Sequence, residues 1–547
     1  MEAHKEPSER SGRRSLIRNV AAIAGAACAA AYTTPSISRD TSAMARKSVY
    51  NVKDFGATGN RQDNATEAFR RAIDAGTANG GGIVHVPPGA YTVGTVQLKD
   101  HVTLDLSAGS TLFLSQDRND FIRGGRAMIF AENARNIGVT GRGTLDGLAQ
   151  YEFAEMRSVD ARISKEIEIA RQAGVDMRRY YRSSEAMNTF MFIINDTTDF
   201  LLEGVSIINS PLWTVRLNDC DRVFVKGIHI YSDLEKGVNA DGIDICSSSN
   251  VTISDSVIVS ADDSICVKAV SRNGKKANPC RNITVNNCVL TSSSTPLKIG
   301  TETVETEISH ILFNNCVIRN SNKGFGIDVL DGATVSDIVF SNLTIETNRR
   351  HWNWWGDAEM CKILLSKRNP SSTLGSIRNI VIDNIIANVM GTSKIIGHPD
   401  QPLENIRISN VHMSMNPEDY KDKRATHAFV VEDVVGLTIR DLAIEWSVGE
   451  TEKKWQSALA LNRVGDLVVD SFSGRQGLVT KDAPAILLEN ISAGILRDCH
   501  APEGTATFVH IKGDATQNIL LKNNRLKKAG KEITFETDKL KENIDLK

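Results

Sequence analysis

The sequence predicts an all-β solenoid, a parallel β-helix, and three observations lead to it. First, one short pattern returns along most of the chain: an Asn, Asp or Ser, an alternating apolar run, a polar pair, then a second alternating run. DRVFVKGIHI, SNVTISDSVIV, RNITVNNCVLT, SHILFNNCVIR and SDIVFSNLTIE are copies of it. Second, the first β-residues of these copies, Val223, Val251, Ile283, Ile311 and Ile338, are separated by 28, 32, 28 and 27 residues, and Ile380, Ile406, Leu437 and Leu467 continue the series. Third, there is too little helical periodicity between the runs for a βαβ sheet, and no WD-type or leucine-rich signature for a propeller or horseshoe. Period-two alternation means strands with one face turned inward. A repeat of this length cannot bury that face alone, so coils must stack, about 4.8 Å apart.

The elements follow in chain order. Residues 1–31 carry Arg13-Arg14 and then NVAAIAGAACAAA, which reads as a twin-arginine-like export leader removed after export, with Cys28 as an alternative lipidation site. No other segment is long and apolar enough to span a membrane. Residues 48–525 form the solenoid. It opens with DNATEAFRRAIDAGTANGGG, an amphipathic helix with Ala65, Phe69, Ala72 and Ile73 on one side, stopped by glycines and placed to cap the first coil. From about 151 to 187, RSVDARISKEIEIARQAG breaks the β pattern as a helical insertion. Asn287 and Asn315 fall at coil corners, where asparagines can form side-chain ladders. Residues 526–547 are a lysine-rich terminal strand or tail. The eight cysteines after Cys28 sit mostly in strand-like runs and are expected as buried thiols. A net charge of −2 with both signs mixed gives no nucleic-acid or membrane-surface footprint, and no CxxC or His-rich spacing suggests zinc or an iron–sulfur cluster. No cofactor is expected, and the sequence gives no oligomeric state.

NADGIDI and ADDSICVK place Asp241 and the pair Asp262-Asp263 21 residues apart, about one short coil, with no arginine or histidine between them. Asp241 and Asp262 should therefore lie at matching places on neighbouring rungs, with Asp263 beside them. Two carboxylates about 5 Å apart at an effective dielectric near 20 repel by roughly 3 kcal/mol, so stability alone does not call for this arrangement. Any one of these residues is an ordinary turn aspartate. Three in register should raise the pKa of one, giving an acid beside a base, as glycosidic cleavage requires.

VYNVKDFGATGN with GGGIVHVPPGAYTVGTVQLKDHVTLDLSAGSTL, INSPLWTVRLNDCDRV, and above all NADGIDI followed by ADDSICVK resemble the polygalacturonases and their relatives, glycoside hydrolase family 28, over roughly residues 48–345. The resemblance implies a right-handed β-helix and inverting hydrolysis without a metal. It makes Asp262 the general acid and Asp241 with Asp263 the bases that activate water. Asn239 and Lys268 match family positions near the cleft, while Asp244 supports the loop. The family continues with Gly-His-Gly and Arg-Ile-Lys. Here STPLKIG and GFGIDVL put Thr295 where the histidine stands, and Gly326 and Asp328 where the arginine and lysine stand. Those cations hold a sugar carboxylate, and an aspartate in their place turns attraction into repulsion. Thr295, Lys298 and Asp328 then line an altered subsite, and the expected substrate is a pectic or other complex acidic polysaccharide rather than plain polygalacturonan. In RRHWNWWGDAE, Trp352, Trp354 and Trp355 form either stacking platforms for pyranose rings or a hydrophobic plug, with Arg349 or Arg350 available to an anion. Trp213 is expected beneath the cleft, and His310 and His351 in surface or structural roles. Two rival functions stay open. A lyase on the same fold would use the aspartates for calcium and Lys268 or Arg272 as base, and a carbohydrate-binding β-helix would have no catalysis.

Overall fold

The computed structural model describes residues 48–122, 126–155, 161–175, 180–183, 186–350, 356–449, 451–478 and 482–546. The leader with Cys28, and Trp352, Trp354, Trp355 and His351, lie outside the described residues. Apart from a short antiparallel ribbon, Phe153–Glu155 with Tyr180–Arg182, the strands belong to one sheet that is parallel throughout and coils on itself.

The repeat positions read from the sequence are the register positions of that sheet. Val223 pairs with Val251, Val251 with Ile283, Ile283 with Ile311 and Ile311 with Ile338. Ile380, Ile406, Leu437 and Leu467 follow without a slip. A one-residue slip would turn every buried aliphatic outward, so the core itself fixes the register. All nine side chains are essentially inaccessible to solvent, and each contributes about 1.5–3 kcal/mol of hydrophobic stabilisation. Phe313, Phe340 and Phe325 extend the stack as rings, with centroids 4.9 and 4.2 Å apart.

Corners are made by asparagines and aspartates with left-handed backbone, among them Asn287 (φ 56°) and Asn315 (φ 51°), a conformation these side chains tolerate. Their amides form the expected ladders: Asn282 donates to Asn250 at 2.9 Å, Asn250 to Asp221 at 2.6 Å, and Asn287 to Asp255 at 3.2 Å. Helix α1 (Thr66–Ala78) buries Ala68, Phe69, Ala72, Ile73 and Gly76 against the first coils, with Phe69 edge-on to Tyr91 at 5.9 Å. The insertion contains helix α2 (Ala161–Gln172). The lysine-rich end is a further coil rather than a loose tail, because Lys531–Phe535 and Ile544–Leu546 pair in parallel with the strands before them. All eight described cysteines are buried free thiols. Among the described residues, no helix is long and apolar enough to cross a membrane.

Candidate active site

Six strands stack to form the floor of the site: β1 (Val215–Asn218), β2 (Ile243–Cys246), β3 (Ile265–Ala269), β4 (Leu297–Thr303), β5 (Lys323–Val329) and β6 (Glu359–Leu365). Val215, Ile243, Ile265, Leu297, Phe325 and Cys361 are in register along the stack and point inward. Alternation therefore sends Asp244, Lys268, Lys298, Asp328 and Lys362 outward. The corner residues two positions before the inward series form another column, Trp213, Asp241, Asp263, Thr295, Lys323 and Glu359.

This register corrects the sequence expectation. Asp241 stacks on Asp263, not on Asp262, because the coil from Ile243 to Ile265 is 22 residues long. Thr214 N–H donates to the Asp241 carbonyl at 2.8 Å, and Gly242 N–H to the Asp263 carbonyl at 2.8 Å. Gly242 is required by close approach, since a Cβ there would lie 2.3 Å from the Ser264 carbonyl oxygen. Asp262 lies beside this column, and one oxygen from each of the three carboxylates falls within 4.8 Å of the others. All three residues are buried, with exposures of 2% (Asp241), 8% (Asp262) and 3% (Asp263).

Each carboxylate has its own setting. Asp262 accepts from the Asn239 amide at 3.3 Å and from the Asp263 N–H at 3.0 Å; Asn239 has left-handed backbone (φ 59°). Asp263 accepts from the Ser294 hydroxyl at 2.8 Å and the Thr295 N–H at 3.2 Å, and pairs with Lys298 at 3.2 Å. Asp241 pairs with Lys268 at 3.7 Å, and its other oxygen, Oδ1, has no hydrogen-bond partner among the described residues. Lys268 also reaches Asp244 at 3.2 Å and Glu302 at 3.3 Å, and its ammonium lies 4.0 Å over the Trp213 ring. Trp213 is half-buried and packs edge-on to Phe190 at 6.2 Å. The cations that neutralise the acids are thus lysines supplied by the strand faces.

Burial pushes Asp241 well above the usual carboxylate range, reinforced by the charges of Asp244 and Asp262 and opposed by Lys268. Burial also lifts Asp244, to about 7, against the pull of Lys268. Burial disfavours the Lys268 ammonium, but Asp244 and Asp241 outweigh it and keep its pKa well above the ordinary lysine value.

Lys298 and Asp328 meet at 3.9 Å. Lys362, which the sequence reading missed, lies 4.0 Å from the other Asp328 oxygen. Glu302, Lys323 and Ser294 were missed as well. Counting registers would have found Lys362, which shares a column with Asp244 and Lys298; no sequence signal marks Glu302. The arginines offered for an anion are committed elsewhere. Arg349 is buried and donates to Glu418 at 2.6 Å and Asp422 at 3.1 Å, and Arg350 donates to the Asn320 carbonyl. Arg272 is tied to Asp196 and, at 3.1 Å, to Asp219.

The sequence model of glycosyl hydrolases family 28 matches residues 81–429. A protein named "Probable polygalacturonase" from Vitis vinifera is 25% identical over 385 residues, 65% of this chain and 72% of that protein. Rhamnogalacturonase A of Emericella nidulans is 26% identical over 298 residues, 53% of this chain, and the match spans only 49% of that protein. Among solved structures, an exopolygalacturonase from Thermotoga maritima aligns with a TM-score of 0.55 at 20% identity, covering 77% of this chain and 91% of that one. A family 28 exopolygalacturonase from Yersinia enterocolitica aligns at 0.57 and 17%, covering 78% of each. These structural likenesses show the fold, a right-handed parallel β-helix.

Proposed function

The chain belongs to glycosyl hydrolases family 28, and from that premise we propose that it cleaves glycosidic bonds in a pectic polysaccharide, using Asp241, Asp262 and Asp263. The observation that carries this reading is the convergence of three buried carboxylates, flanked by Lys268 on one side and Lys298 on the other. Its relatives are named polygalacturonases and rhamnogalacturonases, which supports a uronate-containing chain as substrate.

Asp262, the most exposed of the three, donates its proton to the glycosidic oxygen as the bond to the anomeric carbon breaks. A water between Asp241 and Asp263 attacks that carbon and gives up a proton to one of them. Ser294, the Thr295 N–H and Lys298 fix the Asp263 carboxylate, and Lys268 fixes Asp241. General acid and base catalysis of this kind contributes about 10²–10⁴-fold each. This course inverts the anomeric configuration. Inverting pairs usually lie about 6.5–9.5 Å apart and retaining pairs about 5–5.5 Å, so the close approach of these oxygens makes the anomer of the first product the deciding measurement. Net retention would replace the water by a carboxylate nucleophile.

The upward shift of Asp241 favours a second reading, in which Asp241 is the proton donor. A substrate with an activated aryl leaving group separates the two, because it needs little acid assistance. The variant of the true donor, Asp262→Asn or Asp241→Asn, recovers most of its rate on that substrate, and the other does not.

A lyase needs a neutral base. Lys268 is held charged by three acids and Arg272 is tied to two aspartates. The test is a screen of homogalacturonan, rhamnogalacturonan and algal polysaccharides. New reducing ends without ultraviolet absorbance from a double bond support hydrolysis; absorbance in step with cleavage overturns it. Export rests on Arg13-Arg14 and the apolar run after them, and is tested by replacing both arginines with lysine and following the protein to the outside of the cytoplasm.

A further inference from the structure

Beyond the acids, along the helix axis, the outward column carries Lys298, then Gly326, then Lys362 on successive rungs. Gly326 leaves a notch between the two lysines, floored by the Lys362 carbonyl and by Lys323 and Thr295; a Cβ there would lie 3.1 Å from that carbonyl oxygen and 3.6 Å from each side chain. The Asp328 carboxylate stands between the lysines, 3.9 Å from Lys298 and 4.0 Å from Lys362. Around the notch, the ammonium groups of Lys298, Lys323 and Lys362 are matched by Asp263, Asp328 and Glu359, with Lys323 and Glu359 at 3.7 Å. Lys394, next in the column, faces Asp357. Asp328 is nearly inaccessible, while Lys362 is about one-third exposed, so an incoming sugar can reach one cation whose charge is already answered.

We infer that Asp328 is a built-in counter-ion and that this notch selects an uncharged sugar next to the bond being cleaved. The Lys–Asp separations exceed hydrogen-bond length, which leaves ammonium protons free to donate to sugar hydroxyls. A uronate carboxylate entering the notch would meet Asp328 without gaining an unpaired cation. The substrate is then a chain in which a neutral sugar adjoins the uronate, rather than an unbroken polyuronate. This deepens the proposed function and rests on it for the direction of the bound chain, but its test reads binding rather than cleavage.

Galactose and galacturonate differ only at C6 and serve as probes. Their binding to the full chain, to Asp328→Asn and to Lys362→Gln is measured by saturation-transfer NMR and titration at low and high salt. The native chain is expected to bind galactose at least as well as galacturonate, with little salt dependence. Asp328→Asn uncovers a cation and gains galacturonate affinity by about tenfold, lost at high salt, with galactose unchanged. Lys362→Gln shifts the preference further from galacturonate, and being on a partly exposed side chain it keeps the test alive if Asp328→Asn does not fold. A salt-sensitive preference of the native chain for galacturonate, an Asp328→Asn variant with unchanged selectivity, or no binding of either sugar by any of the three proteins would overturn the inference. Hydrolysis that fails while these preferences hold would sink the proposed function and leave the notch standing.

Discussion

The strands of the site, β2 to β5, and the later wall strands Ser376–Val389, Leu403–Met415 and Phe429–Trp446 obey one rule on their inner face and differ on the outer one. In the wall, outward residues alternate between exposed and half-buried, and each strand runs 13 to 18 residues through the corners. In the site, strands of four to seven residues are interrupted by corner segments, and the outward charges Asp244, Lys268, Lys298 and Asp328 are buried. Burying charges is expensive even when they are paired, and the wall shows that the fold does not need it. The difference separates what the solenoid requires from what the cleft requires.

The sharpest way to break this comparison is at the acids. Asp262→Asn should lower kcat by about 10²–10⁴-fold with a melting temperature close to native, because the residue belongs to the cleft and not to the core. Normal turnover would remove Asp262 from the chemistry. Core residues should show the converse. Ile283→Ala in the site coils and Ile380→Ala in the wall, both fully buried, should each cost about 2–5 kcal/mol in denaturant unfolding. A large inequality between them would mean that the two regions are not one continuous core.

A smaller effect reads the buried charge itself. The Asp244 pKa is raised in the folded chain to about 7 from an ordinary 3.8, so the native state holds that proton more tightly than the unfolded chain does. Its contribution to stability is therefore highest below about pH 4, falls as pH rises towards 7, and is flat above. Asp244→Asn cannot titrate, and its loss of a partner for Lys268 is a constant offset over this range. Its stability relative to the native chain should climb with pH between about 4 and 7, by at most ~1.4 kcal/mol per unit. Parallel unfolding curves across that window would show that Asp244 is an ordinary ionised carboxylate.

The fold was legible because the inward positions recur at a countable interval, and Val223 through Leu467 name their own register partners. The acids were legible as a cluster but not in their pairing: strand spacing decides whether Asp262 or Asp263 stacks on Asp241, and one residue in a corner changes the answer. Lys362 and Glu302 escaped for a different reason. Each comes from a coil beyond the motif, and its neighbours in space are fixed by loop lengths that vary from 22 to 36 residues per coil along this column. Arg349 misled because an arginine in a polar loop looks the same in sequence whether it awaits a ligand or anchors the loop to Glu418 and Asp422.

The least effect belongs to the wall's outer face. His412 and Glu445 stand 3.8 Å apart on neighbouring wall strands, with side chains 47% and 69% exposed. Solvent screens such a pair, and holding both side chains in place costs entropy, so Glu445→Gln should change stability by less than about 1 kcal/mol and leave hydrolysis unaltered. The expectation is specific to the outer face, since it assumes that nothing binds there. If Glu445→Gln lowered activity on polysaccharide while sparing short oligosaccharides, the wall would be a second contact surface for the chain, and the contrast between a functional cleft and a merely structural wall would fail.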